Sequence, residues 1–265
     1  MENVVTIARA VPMPPNATTR VVAVLDALIR SPDETVGVRD LASQLAMSRS
    51  ATHRFLAILA DVGYARSLEG GRYQLTSQAR AWSHFMRVRH PVLLESRPVM
   101  DQLAAATGES VHLLVLTAEP SLGVFIARSE GSSLVQHLVS LGVPTPLTAG
   151  AAGKALLASR PPEVIDEVLA GLGPAGQGRA AEFRAELARI SARGFATSRA
   201  ELVPDVAGVA AAFQRFGQGF GAITVTMPEY RFDPANLELP RLVIGAAAEL
   251  TARFAAVADD RTPRH

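Results

Sequence analysis

The sequence predicts a mixed α/β (α+β) chain of two domains, and three observations carry that prediction. Leu41–Ala60, LASQLAMSRSATHRFLAILA, reads as helix, tight turn, helix, and runs between Asp40 and Asp61 without a single acid. Tyr64–Leu75, YARSLEGGRYQL, follows as two short strands flanking Gly70-Gly71, a dipeptide that tolerates the positive φ of a tight hairpin turn. Beyond residue 98, strand-like runs are enclosed by helices, the pattern of an antiparallel α+β domain. A length of 265 residues suits two domains, and 48% hydrophobic against 19% charged residues is the composition of a globular protein with ample core.

Each element follows in order. Residues 1–17 carry Pro12, Pro14 and Pro15 without sustained periodicity and are expected to form a flexible arm. From Thr18, Val21, Val24, Leu25 and Leu28 make one apolar helical face, which ends before Ser31-Pro32. Val36, Gly37 and Val38 suit a very short strand, and Arg39 to Leu45 the next helix. Ala46-Met47-Ser48 makes the turn, with Ser48 as N-cap of a helix running to about Val62 and Gly63 ending it. With the hairpin, residues 18–76 compose a winged helix-turn-helix. Residues 77–97 are expected as a linker helix bearing Trp82, Phe85 and Met86, interrupted at His90-Pro91; Trp82 suits a dimer contact or burial against the wing.

Residues 98–258 form the second domain. A helix through Pro98 to Ala106 opens it, followed by strands at Val111–Thr117, Gly123–Arg128 and Leu134–Leu141. Helices are expected at Gly150–Ser159, Pro162–Ala170 and Ala181–Arg193, then strands at Val206–Ala211 and Gly221–Thr226 and a helix from Pro234 to Ala258. Gly171–Gly178 reads as a flexible loop and residues 259–265 as a disordered tail.

Charge divides between the domains. Residues 1–90 hold eleven Arg against seven acids, a net +4, and the remainder is −3, so only the front end suits a polyanion. The polar cluster on the second helix of the helix-turn-helix points to duplex DNA. Ser48, Arg49, Ser50, Thr52, His53 and Arg54 crowd its first turns, and a recognition helix makes its base contacts from that end. Arginine pairs bidentately with a guanine edge or clamps a phosphate, and hydroxyls suit either. Arg39 and the wing residues Arg66, Arg72 and Tyr73 complete the expected surface; the alternative is an ordinary solvated helix face and hairpin. No cysteine is present, which excludes disulfides and thiolate metal sites and fits a cytoplasmic location. No signal sequence or membrane-length apolar run is apparent.

At these residues the chain resembles the IclR family of bacterial transcriptional regulators. SATHRFLAIL (Ser50–Leu59) is similar to the family's recognition helix, GGRYQL (Gly70–Leu75) to its wing, and TGES (Thr107–Ser110) to the start of its effector domain. PLTAGAAGKALLAS (Pro146–Ser159) is the strongest match, and RGFATSRAELVPDVAGVAA (Arg193–Ala211) resembles the signature near the C-terminus. The similarity spans roughly residues 18–258. Leu45-Ala46-Met47 stands where the family usually has Thr-Gly-Leu, Ala212-Phe213 replaces a common proline, and a Thr-Pro-rich stretch is reduced to Gly171–Gly178. The resemblance implies a winged helix, a dimerising linker helix and a GAF/PAS-like effector domain. It further implies a homodimer or homotetramer on a palindromic operator, controlling catabolic genes in response to a metabolite, often an organic or aromatic acid.

For the effector, the turn at Ala149–Gly153 is the candidate. Its small residues (Ala149, Gly150, Ala151, Ala152) let backbone amides approach a ligand at a helix N-terminus, whose dipole favours an anion. Tight helix-on-sheet packing also wants Gly and Ala there. By the resemblance, Leu134, Ala151, Ala152, Ser198, Gly208, Thr224 and Thr226 line the pocket, and Thr224 and Thr226 share one strand face. An enzyme is not expected: GAAGKA fails as a phosphate loop because Thr148 and Ala155 occupy its glycine and Ser/Thr positions, and no nucleophile elbow appears. No catalytic residue, cofactor or metal is expected, since His112 and His137 lie on separate strands without an acid pattern. The alternative reading is an effector-independent DNA-binding oligomer whose second domain only mediates assembly.

Overall fold

The computed structural model describes residues 17–31, 33–81, 91–133, 139–172 and 178–259. All but Ala17 of the expected arm, Trp82 and residues 82–90 of the linker, Leu134, His137, residues 173–177 and the tail beyond Asp259 lie outside them. The chain divides into two compact units, residues 1–90 and 91–265.

The first unit contains α1 (Ala17–Arg30), β1 (Val36–Gly37), α2 (Val38–Gln44), α3 (Arg49–Asp61), β2 (Ala65–Leu68) and β3 (Arg72–Leu75). Its sheet order is β1-β3-β2, all antiparallel, with Val36 opposite Tyr73. The period of 3.6 sends Val24 and Leu28 of α1 and Phe55, Leu56 and Leu59 of α3 into one core, joined by Leu41, Ala65 and Tyr73. The hairpin turns over Glu69–Gly71, where Gly70 and Gly71 both take positive φ (72° and 70°). Helix α2 closes with Met47 N–H donating to Ala42 O (2.9 Å) and Ala46 N–H to Ser43 O (3.2 Å), a Schellman end whose left-handed residue is Ala46 (φ 50°). Ser48 then caps α3, its Oγ accepting from Ala51 N–H at 3.2 Å. Residues 77–81 are helical, capped by Thr76 Oγ1, which accepts from Ala79 N–H.

The second unit runs α4 (Pro91–Thr107), β4 (Ser110–Leu116), β5 (Leu122–Ser129), β6 (Pro144–Pro146), α5 (Gly150–Ala158), α6 (Pro162–Ala170), α7 (Ala180–Arg193), β7 (Ala196–Arg199), β8 (Val206–Arg215), β9 (Gln218–Pro228) and α8 (Glu238–Asp259). The sheet is antiparallel in the order β6-β5-β4-β9-β8-β7. One face, with Leu113, Val209, Phe213, Ile223 and Val225, packs on Met100 and Leu103 of α4 and Leu250 and Phe254 of α8. The other, with Leu114, Phe125, Ala196, Ala210 and Ala222, packs on α5 and α7. Layers of helix on both faces bury β4 and β9 almost completely.

Three expectations change. The helix expected from Pro98 begins at Pro91, so residues 91–97 belong to the second unit, where Val92 is fully buried in its core. Of the strand expected over Leu134–Leu141, the described residues 139–141 pair in no strand, and a strand forms instead at Pro144–Pro146. Strand β7 was not expected: ATSR is too short and polar to announce itself, and its pairing with β8 creates it.

Candidate functional site

In the first unit, Ser48, Arg49, Ser50, His53 and Arg54 are all exposed. Arg49 and His53, and Ser50 and Arg54, are each four residues apart, so the helix places these pairs on one outward face. Arg54 also lies over the Phe55 ring, 5.1 Å from its centroid. Arg39 is exposed near the start of α2. On the wing, Arg66 donates to Gln74 Oε1 at 2.8 Å, and Arg72 donates to Thr35 Oγ1 at 2.8 Å. Both are exposed side chains braced by neighbours.

Two expected surface residues are turned inward. Thr52 is fully buried, and its hydroxyl donates to Ser48 O at 3.1 Å. Lying three and four residues before Phe55 and Leu56, it follows the apolar face, a periodicity that the polar composition of the segment concealed. Tyr73 is 3% exposed, packed in the core with its ring edge-on to His53 at 6.1 Å. Neither presents its side chain to DNA.

In the second unit, the effector candidates gather on the sheet face beneath α5. The antiparallel register aligns Ser198, Gly208, Thr226 and Ser110 in one row, and Ala196, Ala210, Thr224 and His112 in the next. A Cβ on Gly208 would meet Ser198 Oγ at 3.3 Å, Ala151 Cβ at 3.4 Å and Thr224 Oγ1 at 3.7 Å. Four of the expected residues therefore converge on one point. Thr224 donates to Val209 O at 3.2 Å. Thr226, one row away, lies 3.2 Å from His112 Nδ1. Ala152 is buried in the α5 layer, and Ala149 and Gly150 lie at the mouth of the helix.

His112 is the neighbour that sequence reasoning treated only as a core residue or metal ligand. It is fully buried, and burial, with a smaller effect from the Arg128 charge, pushes its pKa down to about 4. Its Nε2 accepts from Val139 N–H at 3.4 Å, which assigns the proton to Nδ1 and makes His112 the donor to Thr226. Among the described residues no group of His, Asp and Glu is arranged to hold a metal.

The expected anion position at α5 is already partnered. Ala149 supplies no capping side chain; Glu201 Oε2 accepts from Gly150 N–H at 2.9 Å instead. Glu201 Oε1 also accepts from Lys154 Nζ at 2.6 Å, and Glu186 Oε1 does so at 2.8 Å. Lys154, the only lysine in the chain, is buried within an otherwise apolar helix, so it requires both carboxylates. A lone lysine inside GAAGKALLA was the legible signal; its partners 32 and 47 residues away were not. Two glycines here serve packing. Gly150 takes φ +74° with Leu202 against it, and a Cβ on Gly153 would lie 2.9 Å from Pro146 O.

The domain described as "Bacterial transcriptional regulator IclR C-terminal" matches residues 84–252, and the "IclR helix-turn-helix domain" matches residues 17–69. The chain belongs to the IclR family of transcriptional regulators. Among relatives of this IclR-family protein, the HTH-type transcriptional regulator BhcR of Paracoccus denitrificans is 29% identical over 258 residues, covering 89% of this chain and 86% of the relative. The transcriptional repressor IclR of Escherichia coli is 27% identical over 229 residues, with 83% of each chain covered. The fold also matches an IclR transcriptional regulator structure from Alicyclobacillus acidocaldarius (TM-score 0.77, 19% identity, 90% of this chain and 98% of the other). It likewise matches an IclR homologue from Microbacterium hydrocarbonoxydans in complex with 4-hydroxybenzoate (TM-score 0.74, 21% identity, 91% and 100%). These relatives are regulators rather than enzymes. This IclR-family chain is accordingly a DNA-binding regulator with a ligand-binding C-terminal domain, and among its described residues no helix is long and apolar enough to cross a membrane.

Proposed function

We propose that this cytoplasmic regulator binds a palindromic operator as a homodimer or homotetramer and controls catabolic genes in response to a small organic or aromatic acid. The observation that carries the effector reading is the convergence of Ala151, Ser198 and Thr224 on the bare Cα of Gly208, on the sheet face below α5. Hydroxyls and a backbone approach at one point, walled by the apolar residues of α5, are what a small polar ligand needs for orientation. A homologue of the same fold holds 4-hydroxybenzoate, an aromatic acid.

For DNA, the exposed Arg49, Ser50, His53 and Arg54 face supports docking of α3 by its N-terminal turns, with Arg39, Arg66 and Arg72 on phosphates. Effector binding shifts operator affinity by the coupling free energy, typically about 1–3 kcal/mol.

Calorimetry with a panel of monocarboxylates including 4-hydroxybenzoate tests the pocket. Gly208→Val places methyls among Ser198, Ala151 and Thr224 and is expected to abolish binding; retained affinity removes the pocket from this position. Selection of genomic fragments by the purified protein tests the operator, with an enriched inverted repeat expected. Operator affinity indifferent to every metabolite tried would favour the assembly-only alternative.

A further inference from the structure

Residues 200–205 join β7 to β8, and their two flanking strands carry the pocket residues Ser198 and Gly208. The segment is closed at its base by Ala200 N–H donating to Val206 O at 2.8 Å. Both of its ends hold non-glycine residues in the left-handed region, Ala200 at φ 51° and Asp205 at φ 59°, a conformation that persists only where surrounding contacts impose it. At the far end, Asp205 O accepts from Glu229 N–H at 2.8 Å. Glu201 reaches both Lys154 Nζ and Gly150 N–H of α5, and Leu202 lies against Gly150. The body of the segment is otherwise exposed, Val203 included at 40%. A surface segment with strained ends, fastened through Glu201 and Leu202 near its start to the helix that roofs the pocket, has the construction of a strap.

We propose that residues 200–205 are the gate of the effector pocket, held shut by the clasp of Glu201 on Lys154 and Gly150. This rests on the pocket reading above. Access to Thr224 and Gly208 opens when the clasp releases and the strap swings on Ala200 and Asp205. The Lys154 side chain is 5% exposed, whereas the side chains of Glu201 and Glu186 are 33% and 35% exposed, so the acidic half of the clasp is the half nearer solvent.

The absence of cysteine supplies the test, because a single introduced thiol is then the only one in the full chain. Thr224→Cys places it in the pocket, and Val225→Cys places it on the opposite, fully buried sheet face. The rate of N-ethylmaleimide labelling is measured for each, with and without Glu201→Gln. A gate predicts at least tenfold faster labelling at position 224 in the Glu201→Gln background and an unchanged rate at position 225. Equal rates at 224, or equal acceleration at both positions, overturn the proposal, the second because it reports general loosening. Failure of the pocket reading is distinct, since it appears as carboxylate binding that survives Gly208→Val while labelling at 224 remains controlled by Glu201.

Discussion

Replacing Ala46 by glycine should stabilise the DNA-binding unit. Ala46 is the left-handed residue of the Schellman end of α2, held by the Met47-to-Ala42 and Ala46-to-Ser43 hydrogen bonds. An L-residue with a Cβ loses about 1–2 kcal/mol in that conformation. Glycine relieves this but brings roughly 0.4–1 kcal/mol of additional unfolded-state entropy. Ala46 is exposed, so its methyl contributes little burial that would be lost. The balance is a gain of about 1 kcal/mol, equivalent to roughly a fivefold change in the opening equilibrium. Native-state hydrogen exchange of the Phe55, Leu56 and Leu59 amides reads it, because these core positions of α3 exchange through unfolding of the unit. The expected result is about fivefold slower exchange. Exchange equal to or faster than wild type would refute the assignment of strain to the turn, and with it the reading that the departure from Thr-Gly-Leu at Leu45-Ala46-Met47 is tolerated at a cost.

Other outcomes follow from the same geometry. In fluorescence titrations with a selected operator, Arg54→Ala should weaken binding by at least about 1 kcal/mol, whereas Thr52→Val should leave it within about twofold once the protein is folded, because the Thr52 hydroxyl faces Ser48 O. Lys154→Met strands two carboxylates near an apolar helix; because both are partly exposed, the second unit should lose about 2 kcal/mol in urea unfolding rather than the larger penalty of a fully buried pair. His112 has a folded pKa depressed to about 4 against 6.5 when unfolded, so the stability it contributes is complete above pH 6.5 and is lost as pH falls towards 4. Thermal melts between pH 4 and 7 should show that slope in wild type and a shallower one in His112→Asn.

Much of the second domain was legible: burial on both faces leaves long apolar runs in β4, β8 and β9, and these, the half-buried β5 and the helices α5, α6 and α7 lie close to where hydropathy places them. Elements whose existence depends on a partner were not. β7 and β6 form by pairing with β8 and β5, and the helix of Pro91–Thr107 continues through Pro98, which local reasoning takes as a beginning. In the first unit, residue type misled at Thr52 on α3 and Tyr73 on β3, where helical period and strand pairing rather than polarity decide which way a side chain points.

By itself the sequence determined the class of machine: the acid-free helix-turn-helix, the Gly70-Gly71 hairpin and the GAAGKALLA helix are local patterns, and each specifies its own geometry through backbone propensity and period. Only the tertiary structure decided what surrounds the Gly208 Cα and what neutralises Lys154. Ser198, Gly208, Thr224 and His112 meet through antiparallel register, and Glu186 and Glu201 reach Lys154 across three separate elements. Such contacts depend on how strands align and helices pack over tens of residues, and no short-range pattern encodes them.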